Sequence, residues 1–377
     1  MKKFKQIKIA IMSVADIKNY GDTLFPFVAR KRILKDFPLA KFRFFTPTDC
    51  VIENEQFYKF TLKNLNDYNP DIILTIGGEV IHKYDKLVWG EMYHDQVNKP
   101  SDTIFGWLDF PAKYKAWFSV GVLDLPQPMD EKITDEELGK LDYIGVRGIL
   151  SKKIIENKES LFVNPHIDIV PDIGWTFAKF FKNYRYGLIK LSIKNHIFLY
   201  PDNYIIFNIN FTSINNDEII NSINVLDKFS QKTNLKIVIL DVISTYKKVD
   251  VDIDNLIKNN PNMIHFDNCS LNEIGSLLCG CKFYVGSLLH CAMTTLSNCK
   301  IAALVHNTQL TKFQDMFGHM MRTDLLTNDW SNLENLLEML NQRNYVNKRL
   351  LREYVRLMQN LYEFKFKNLI MKIKDKL

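Results

Sequence analysis

The chain lacks the hydrophobic runs of an integral membrane protein: no uninterrupted apolar stretch approaches the roughly 20 residues of a spanning helix. It also shows no secretory leader. Met1-Lys2-Lys3-Phe4 leads straight into a short strand-like segment without a small-residue cleavage site, so the expected location is cytoplasmic. Cysteines number only six. Five of them, Cys269, Cys279, Cys281, Cys291 and Cys299, fall in one third of the chain, but Cys279 and Cys281 lack the paired two-residue spacing of zinc ribbons. They read as reduced core thiols, and no metal is expected. Arginine-rich stripes, zinc-finger spacing and RNA-binding aromatic signatures are missing too. The net charge of +6 comes largely from lysines scattered through helices, so nucleic acid is not an expected partner. Neither G-x-G-x-x-G nor G-x-x-x-x-G-K-[ST] occurs, which removes two glycine-rich nucleotide loops.

What is present is alternation. The 377 residues are enough for two cores, and 46% hydrophobic with 24% charged residues is ordinary for a globular protein. Buried-strand runs at 7–14, 41–45, 71–76, 116–122 and 143–147 alternate with helical segments at 23–35, from Asp135 and near Ser151. Residues 179–202 are aromatic-rich and irregular. The alternation then restarts, with strands at 204–209, 236–242, 263–266, 283–285 and 301–305 and helices at 217–231 and 270–278. Strands separated by helices predict parallel sheets, here twice over. The expected organisation is α/β: an N-terminal domain at 1–178, a connection at 179–202, a second domain at 203–330, and helices at 331–377.

The stretch from Phe283 to Asn307 reads as strand, tight turn, helix, strand. Gly286-Ser287 closes the first strand and His290 falls in the first turn of the helix. That is where α/β proteins bind anions, because the helix mouth offers N–H groups and the positive end of its dipole. Three further places carry candidate chemistry. In Asn19-Tyr20-Gly21-Asp22 a flexible glycine precedes an acid at a helix start; Asp22 reads equally as an N-cap or a substrate contact. Gly77-Gly78-Glu79 closes a strand and lets backbone and ligand approach closely. Arg147 ends another strand, placed either for a surface ion pair or to clamp a carboxylate or phosphate bidentately.

Together these segments resemble the polysaccharide pyruvyl transferase family, whose members add a pyruvate ketal from phosphoenolpyruvate to a sugar. Asn19-Tyr20-Gly21-Asp22 is similar to the family's early N-x-G-D. Residues 71–79 resemble its strand ending in glycines, and Gly145-Val146-Arg147 with Ser151 its strand-arginine-x-x-x-serine segment. Gly286-Ser287-Leu288-Leu289-His290 resembles its glycine-serine-x-leucine-histidine element. The chain departs from the pattern where Glu79 replaces a third glycine, and where Leu288 stands in place of an arginine carried by many members. Lys312 is the nearest match to a lysine that often follows the last strand.

The resemblance implies two Rossmann-like domains with parallel sheets facing a central cleft, a GT-B-like architecture. It implies phosphoenolpyruvate as donor substrate, no resident cofactor, and a sugar or lipid-linked saccharide of a surface polysaccharide as acceptor. His290 and Asp22 are then the expected catalytic residues. Asn19, Gly21, Gly77, Gly78, Arg147, Ser287 and Lys312 are the expected substrate contacts. Two rivals share the architecture: a glycosyltransferase using a nucleotide-sugar, and a non-catalytic sugar-binding member, which Leu288 keeps in play. The tail has two readings. Phe364, Phe366, Leu369, Ile370 and Ile373 form an apolar stripe among lysines, which either packs back across the first domain or rests on the inner membrane surface.

Overall fold

Runs of β-branched and aromatic residues that are buried on both faces make parallel strands without hydrophobic alternation. In the computed structural model, residues 6–16, 19–78, 106–121, 138–156, 167–208, 214–242, 251–306, 313, 316, 320, 322–342 and 347–377 are described. They divide into two compact units. The first comprises Met1–Lys18, Asp22–Ile173 and Asn360–Leu377; the second comprises Asn19–Gly21 and Gly174–Gln359.

The first unit is built on an eight-stranded sheet. Its strands are β1 (Lys8–Met12), β2 (Lys41–Thr46), β3 (Cys50–Ile52), β4 (Glu55–Lys59), β5 (Ile72–Ile76), β6 (Tyr114–Val120), β7 (Tyr143–Val146) and β8 (Ile167–Ile169). They lie in the order β3-β4-β2-β1-β5-β6-β7-β8, all pairs parallel except β3 with β4. The order reverses direction between β1 and β5. Helices α1 (Tyr20–Ile33), α2 (Leu62–Tyr68) and α3 (Ile149–Glu156) fall between strands. Helix α2 is closed at both ends: Thr61 accepts from the Asn64 N–H, and Asn69 adopts the left-handed cap conformation.

The second unit has a six-stranded, wholly parallel sheet: β9 (Tyr204–Asn208), β10 (Lys236–Leu240), β11 (Met263–Phe266), β12 (Phe283–Gly286), β13 (Ile301–Val305) and β14 (Leu326–Thr327). Their order, β11-β10-β9-β12-β13-β14, is the doubly wound 3-2-1-4-5-6 arrangement, with its switch point between β9 and β12. Its helices are α4 (Tyr184–Lys194), α5 (Asn216–Thr233), α6 (Ile253–Ile257), α7 (Leu271–Gly280), α8 (Leu289–Ser297) and α9 (Leu333–Asn341). Capping boxes start α5 at Asn215 and Glu218, and α7 at Ser270 and Glu273, each satisfying two otherwise orphaned donors.

Two readings of the sequence need correction. The segment at 179–202, expected to be irregular, holds α4. Only Leu188 and Leu191 of that helix are buried, too few to show a period among its aromatic and basic neighbours. It packs closely on α7: a β-carbon on Gly187 would stand 2.0 Å from the Ser276 hydroxyl. Asp22, read equally as an N-cap or a substrate contact, is not a cap but the third residue of α1, because the helix begins at Tyr20.

None of the six cysteines is in a disulfide, and burial raises the thiols of Cys279, Cys281 and Cys291, that of Cys281 to about 12. The last helix, α10 (Lys348–Lys376), buries Leu351, Val355, Met358, Tyr362, Phe366, Leu369 and Ile373 at helical spacing. Within the first unit Tyr362 and Phe366 meet Phe118 edge-on, at 5.6 and 5.5 Å between centroids. Each such pair adds roughly 0.5–1.5 kcal/mol beyond area burial. Lys365 and Lys376 reach Asp168 and Asp142 at 3.1 and 3.5 Å. Of the tail's apolar stripe, Phe366, Leu369, Ile370 and Ile373 are buried and Phe364 is exposed.

Candidate active site

Each sheet carries a group of candidate residues at the carboxyl end of the strand that flanks its switch point, the position where open α/β sheets bind ligands. In the second unit that strand is β12. Gly286 ends it, and only glycine fits: a β-carbon would lie 2.4 Å from the Asn208 carbonyl and 2.6 Å from the Tyr284 hydroxyl. Ser287 is buried and donates its N–H to the Asn208 carbonyl at 3.2 Å. The Leu288 N–H donates to the Tyr284 hydroxyl at 3.1 Å. That hydroxyl has the Leu288 carbonyl at 3.3 Å and Asn208 Oδ1 at 3.4 Å within donating reach. Burial holds the Tyr284 phenol well above its ordinary pKa, so it stays a neutral donor and acceptor. The turn that launches α8 is thus tied to β9 and β12 by Asn208 and Tyr284, two residues the sequence reading did not single out.

His290 emerges from that turn in the first turn of α8 and is half-buried. Its ring lies against Gly21, where a β-carbon would come within 2.0 Å of Nδ1. Phe177 packs on it with centroids 6.2 Å apart. The Thr294 hydroxyl donates to the His290 carbonyl at 2.8 Å and lies 3.0 Å from the buried Tyr20 hydroxyl, joining the Asn19–Gly21 segment to α8. Asn19 Oδ1 accepts from the Gly21 N–H at 3.2 Å. Asn19, Gly21, Ser287 and His290 therefore belong to one neighbourhood.

In the first unit the corresponding strand is β5. Gly77 and Gly78 both have positive φ, at 69° and 77°. Gly77 also has Phe25 against its α-carbon, so glycine is required there by both backbone and space. Gly78 accepts from the Gly121 N–H at 2.7 Å. Gly121 in turn underlies the Arg147 guanidinium, whose Cζ would be 2.4 Å from a β-carbon there. Arg147 pairs with Asp172 at 3.5 Å, and both side chains are nearly inaccessible, at 3% and 8%. Of the two readings of Arg147, surface ion pair or anion clamp, the ion pair is present but buried.

Ser119 organises this corner. Its φ is 61° at the irregularity between β6 and β7, and its hydroxyl donates to the Pro171 carbonyl and accepts from the Ile173 N–H, each at 2.9 Å. That clamp holds Asp172 beside Arg147. Gly77, Gly78 and Arg147 are thus linked through Gly121, with Ser119 and Asp172 as members the sequence reading passed over. Asp22 is half-buried in the first turn of α1. Lys312 and Glu79 lie outside the described residues.

Two doubly wound parallel sheets, each with a glycine turn at its switch point, define an α/β enzyme architecture of GT-B type. Solved structures share it: UDP-GlcNAc 2-epimerase from Methanocaldococcus jannaschii aligns with 94% of this chain and 100% of its own, at 11% identity and TM-score 0.54. The Neisseria meningitidis UDP-GlcNAc 2-epimerase bound to UDP-GlcNAc aligns over 94% and 99% at 9% identity and 0.54. The wall teichoic acid polymerase TagF aligns over 98% and 89% at 12% identity and 0.50. No match to a curated protein was found. The chain belongs to the polysaccharide pyruvyl transferase family, whose sequence model matches residues 19–300. Membership implies a transferase with a saccharide acceptor. The matched span includes every candidate residue except Lys312.

Proposed function

We propose that the protein transfers the three-carbon unit of phosphoenolpyruvate to two hydroxyls of one sugar, in a surface polysaccharide or its precursor, forming a pyruvate ketal and releasing phosphate. The methylene carbon takes a proton and becomes a methyl group. One sugar hydroxyl bonds to the adjacent carbon and gives up its proton. A second hydroxyl then bonds to the same carbon as the carbon–oxygen bond to phosphate breaks, and its proton leaves with the phosphate. The sequence needs a general acid and groups that stabilise an anion.

In this reading His290 supplies the first proton and Asp22 orients or deprotonates a hydroxyl. Arg147 is the candidate for the carboxylate or phosphate, which its planar fork matches; being buried against Asp172, it must open that ion pair to receive either. Asn19, Gly21, Gly77, Gly78, Ser287 and Lys312 contact substrate. The supporting observation is the seating of His290 between Gly21 and Phe177 at a switch-point helix mouth, in a chain of this family. Phosphoenolpyruvate carrying isotope in both carbon and phosphate, offered with a panel of sugars, tests it. The expected result is label in the sugar with equivalent phosphate release, lowered about a hundredfold or more in His290→Ala, as loss of a general acid gives. Phosphate release unchanged in that variant removes His290 from the reaction. Turnover of a UDP-sugar without use of phosphoenolpyruvate establishes the glycosyltransferase reading instead.

A further inference from the structure

The outer face of α4 in the second unit takes no part in that chemistry. Leu188 and Leu191 turn inward, with Leu188 against Gly280 of α7. Tyr186, Ile189 and Ile193 stand at i, i+3 and i+7 on the other side, and the chain after the helix adds Phe198 and Tyr200. These five side chains are each between 50 and 70% exposed. Single exposed apolar residues need no explanation, but five large ones within residues 186–200 mark an interaction surface. The Phe198 and Tyr200 rings touch, with centroids 5.4 Å apart.

The charge on this surface is mostly positive, with Glu273 and Asp202 at its edge, each paired with a lysine. From Lys179 to Pro201 the chain has five basic residues, Lys179, Lys182, Arg185, Lys190 and Lys194, and no aspartate or glutamate. All five are exposed. Lys194 is held by Glu273 at 2.9 Å, and the Lys190 ammonium sits over the Tyr186 ring at 4.7 Å. Arg185 and Lys190 flank the isoleucines on opposite sides of the helix. A surface that docks another protein is depleted in lysine. An apolar centre with tyrosines and a basic rim instead matches the interfacial zone of a bilayer, where aromatic rings lie at headgroup level and lysines meet lipid phosphates.

We propose that the outer face of α4, with Phe198 and Tyr200, seats the second unit on the surface of a bilayer containing anionic phospholipids. Among the described residues no helix is long and apolar enough to cross a membrane. Contact at the surface is the mode this face permits. The site differs from the one the sequence suggested, since most of the apolar stripe of α10 is buried.

The full chain is mixed with vesicles of phosphatidylcholine alone, or of phosphatidylcholine and phosphatidylglycerol in equal parts, and separated by flotation. It should float with the anionic vesicles only, and less as salt rises. Replacing Lys182, Arg185 and Lys190 by glutamine together should weaken partition on the order of a hundredfold, at about fivefold per charge. Ile189→Ser with Ile193→Ser should weaken it about tenfold or more. All five positions are exposed, and an unchanged melting temperature certifies the fold. Failure of the parent chain to float with anionic vesicles, or flotation of either variant equal to the parent's, overturns the proposal. So does a dimer in light scattering that Ile193→Ser dissociates while flotation is unaffected. Phosphoenolpyruvate turnover is not read, so the outcome is separate from that of the proposed reaction.

Discussion

The ring of His290 lies directly over the α-carbon of Gly21, so close that an added methyl group would stand 2.0 Å from Nδ1. The obstructing atoms are those of the His290 ring and its Cβ, the last at 2.8 Å, so the ring must swing aside and the backbone that carries it must yield slightly. Gly21→Ala should therefore leave the melting temperature within a few degrees and lower the proposed pyruvyl transfer about a hundredfold, the cost of misplacing a reacting group by about an ångström. Kinetics with labelled phosphoenolpyruvate beside a thermal melt check this; a fully active Gly21→Ala enzyme would show that the ring position is immaterial.

Ser119 holds Pro171 and Ile173 with one hydroxyl, wholly buried. Ser119→Ala leaves a buried carbonyl and a buried N–H without that partner, each costing about 1–3 kcal/mol. Stability to urea should fall by about 2–4 kcal/mol. The loss should be shared with Asp172→Asn, so that the double variant is less damaged than the two single effects added together.

His265 on β11 bonds Asp254 through Nδ1 at 3.0 Å and Asp241 through Nε2 at 3.3 Å. Burial of the ring favours its neutral form, but the hydrogen bonds and charges of the two aspartates outweigh it, so its pKa is raised. A raised folded-state value means that the stabilisation is fully present below the unfolded value, about 6.5. It is lost as pH rises through the folded value. Compared with His265→Gln, the parent should be more stable in mildly acidic buffer and lose that advantage in alkaline buffer. Urea melts across the pH range decide this; a constant difference between the two proteins would refute the linkage.

On α10, Phe366 and Phe364 are two residues apart yet buried and 57% exposed respectively. Phe366→Ala should cost about 3–5 kcal/mol, as large-to-small core changes do. Phe364→Ala should stay within about 0.5 kcal/mol of the parent. Comparable losses in the two variants, measured by chemical denaturation, would mean that the helix is not seated as described.

Most strands were legible because they are rich in apolar residues: Ile-Ile-Leu-Thr-Ile at 72–76 and the unbroken run at 301–305 announce β5 and β13. His290 and the glycines were legible for a related reason, since breaks after such runs fall at the carboxyl ends of strands. Strands β3, β4, β8 and β14 were missed. With two or three residues each, β3, β8 and β14 carry no readable pattern, and β4 reads Glu-Gln-Phe-Tyr-Lys without an apolar run; pairing with a neighbour makes them strands. Asp172 and Ser119 escaped because their roles depend on chain segments 53 residues apart meeting through one hydroxyl, which no local spacing encodes. Tyr284 looked like one more core aromatic, and its hydroxyl contacts a residue four positions on only because β12 ends where it does.

The unit that begins with β1 draws on residues 360–377 for Tyr362 and Phe366, which cover Phe118 of β6. During synthesis the strands of that sheet are made first, yet part of their hydrophobic cover, at Tyr362 and Phe366, follows every strand of the second sheet. For that interval the Phe118 side of the sheet is open to solvent or to other apolar chains. The first unit started cannot be finished before the second has been made, and premature termination near Gln359 leaves a product with a bare sheet face, fit for aggregation or degradation.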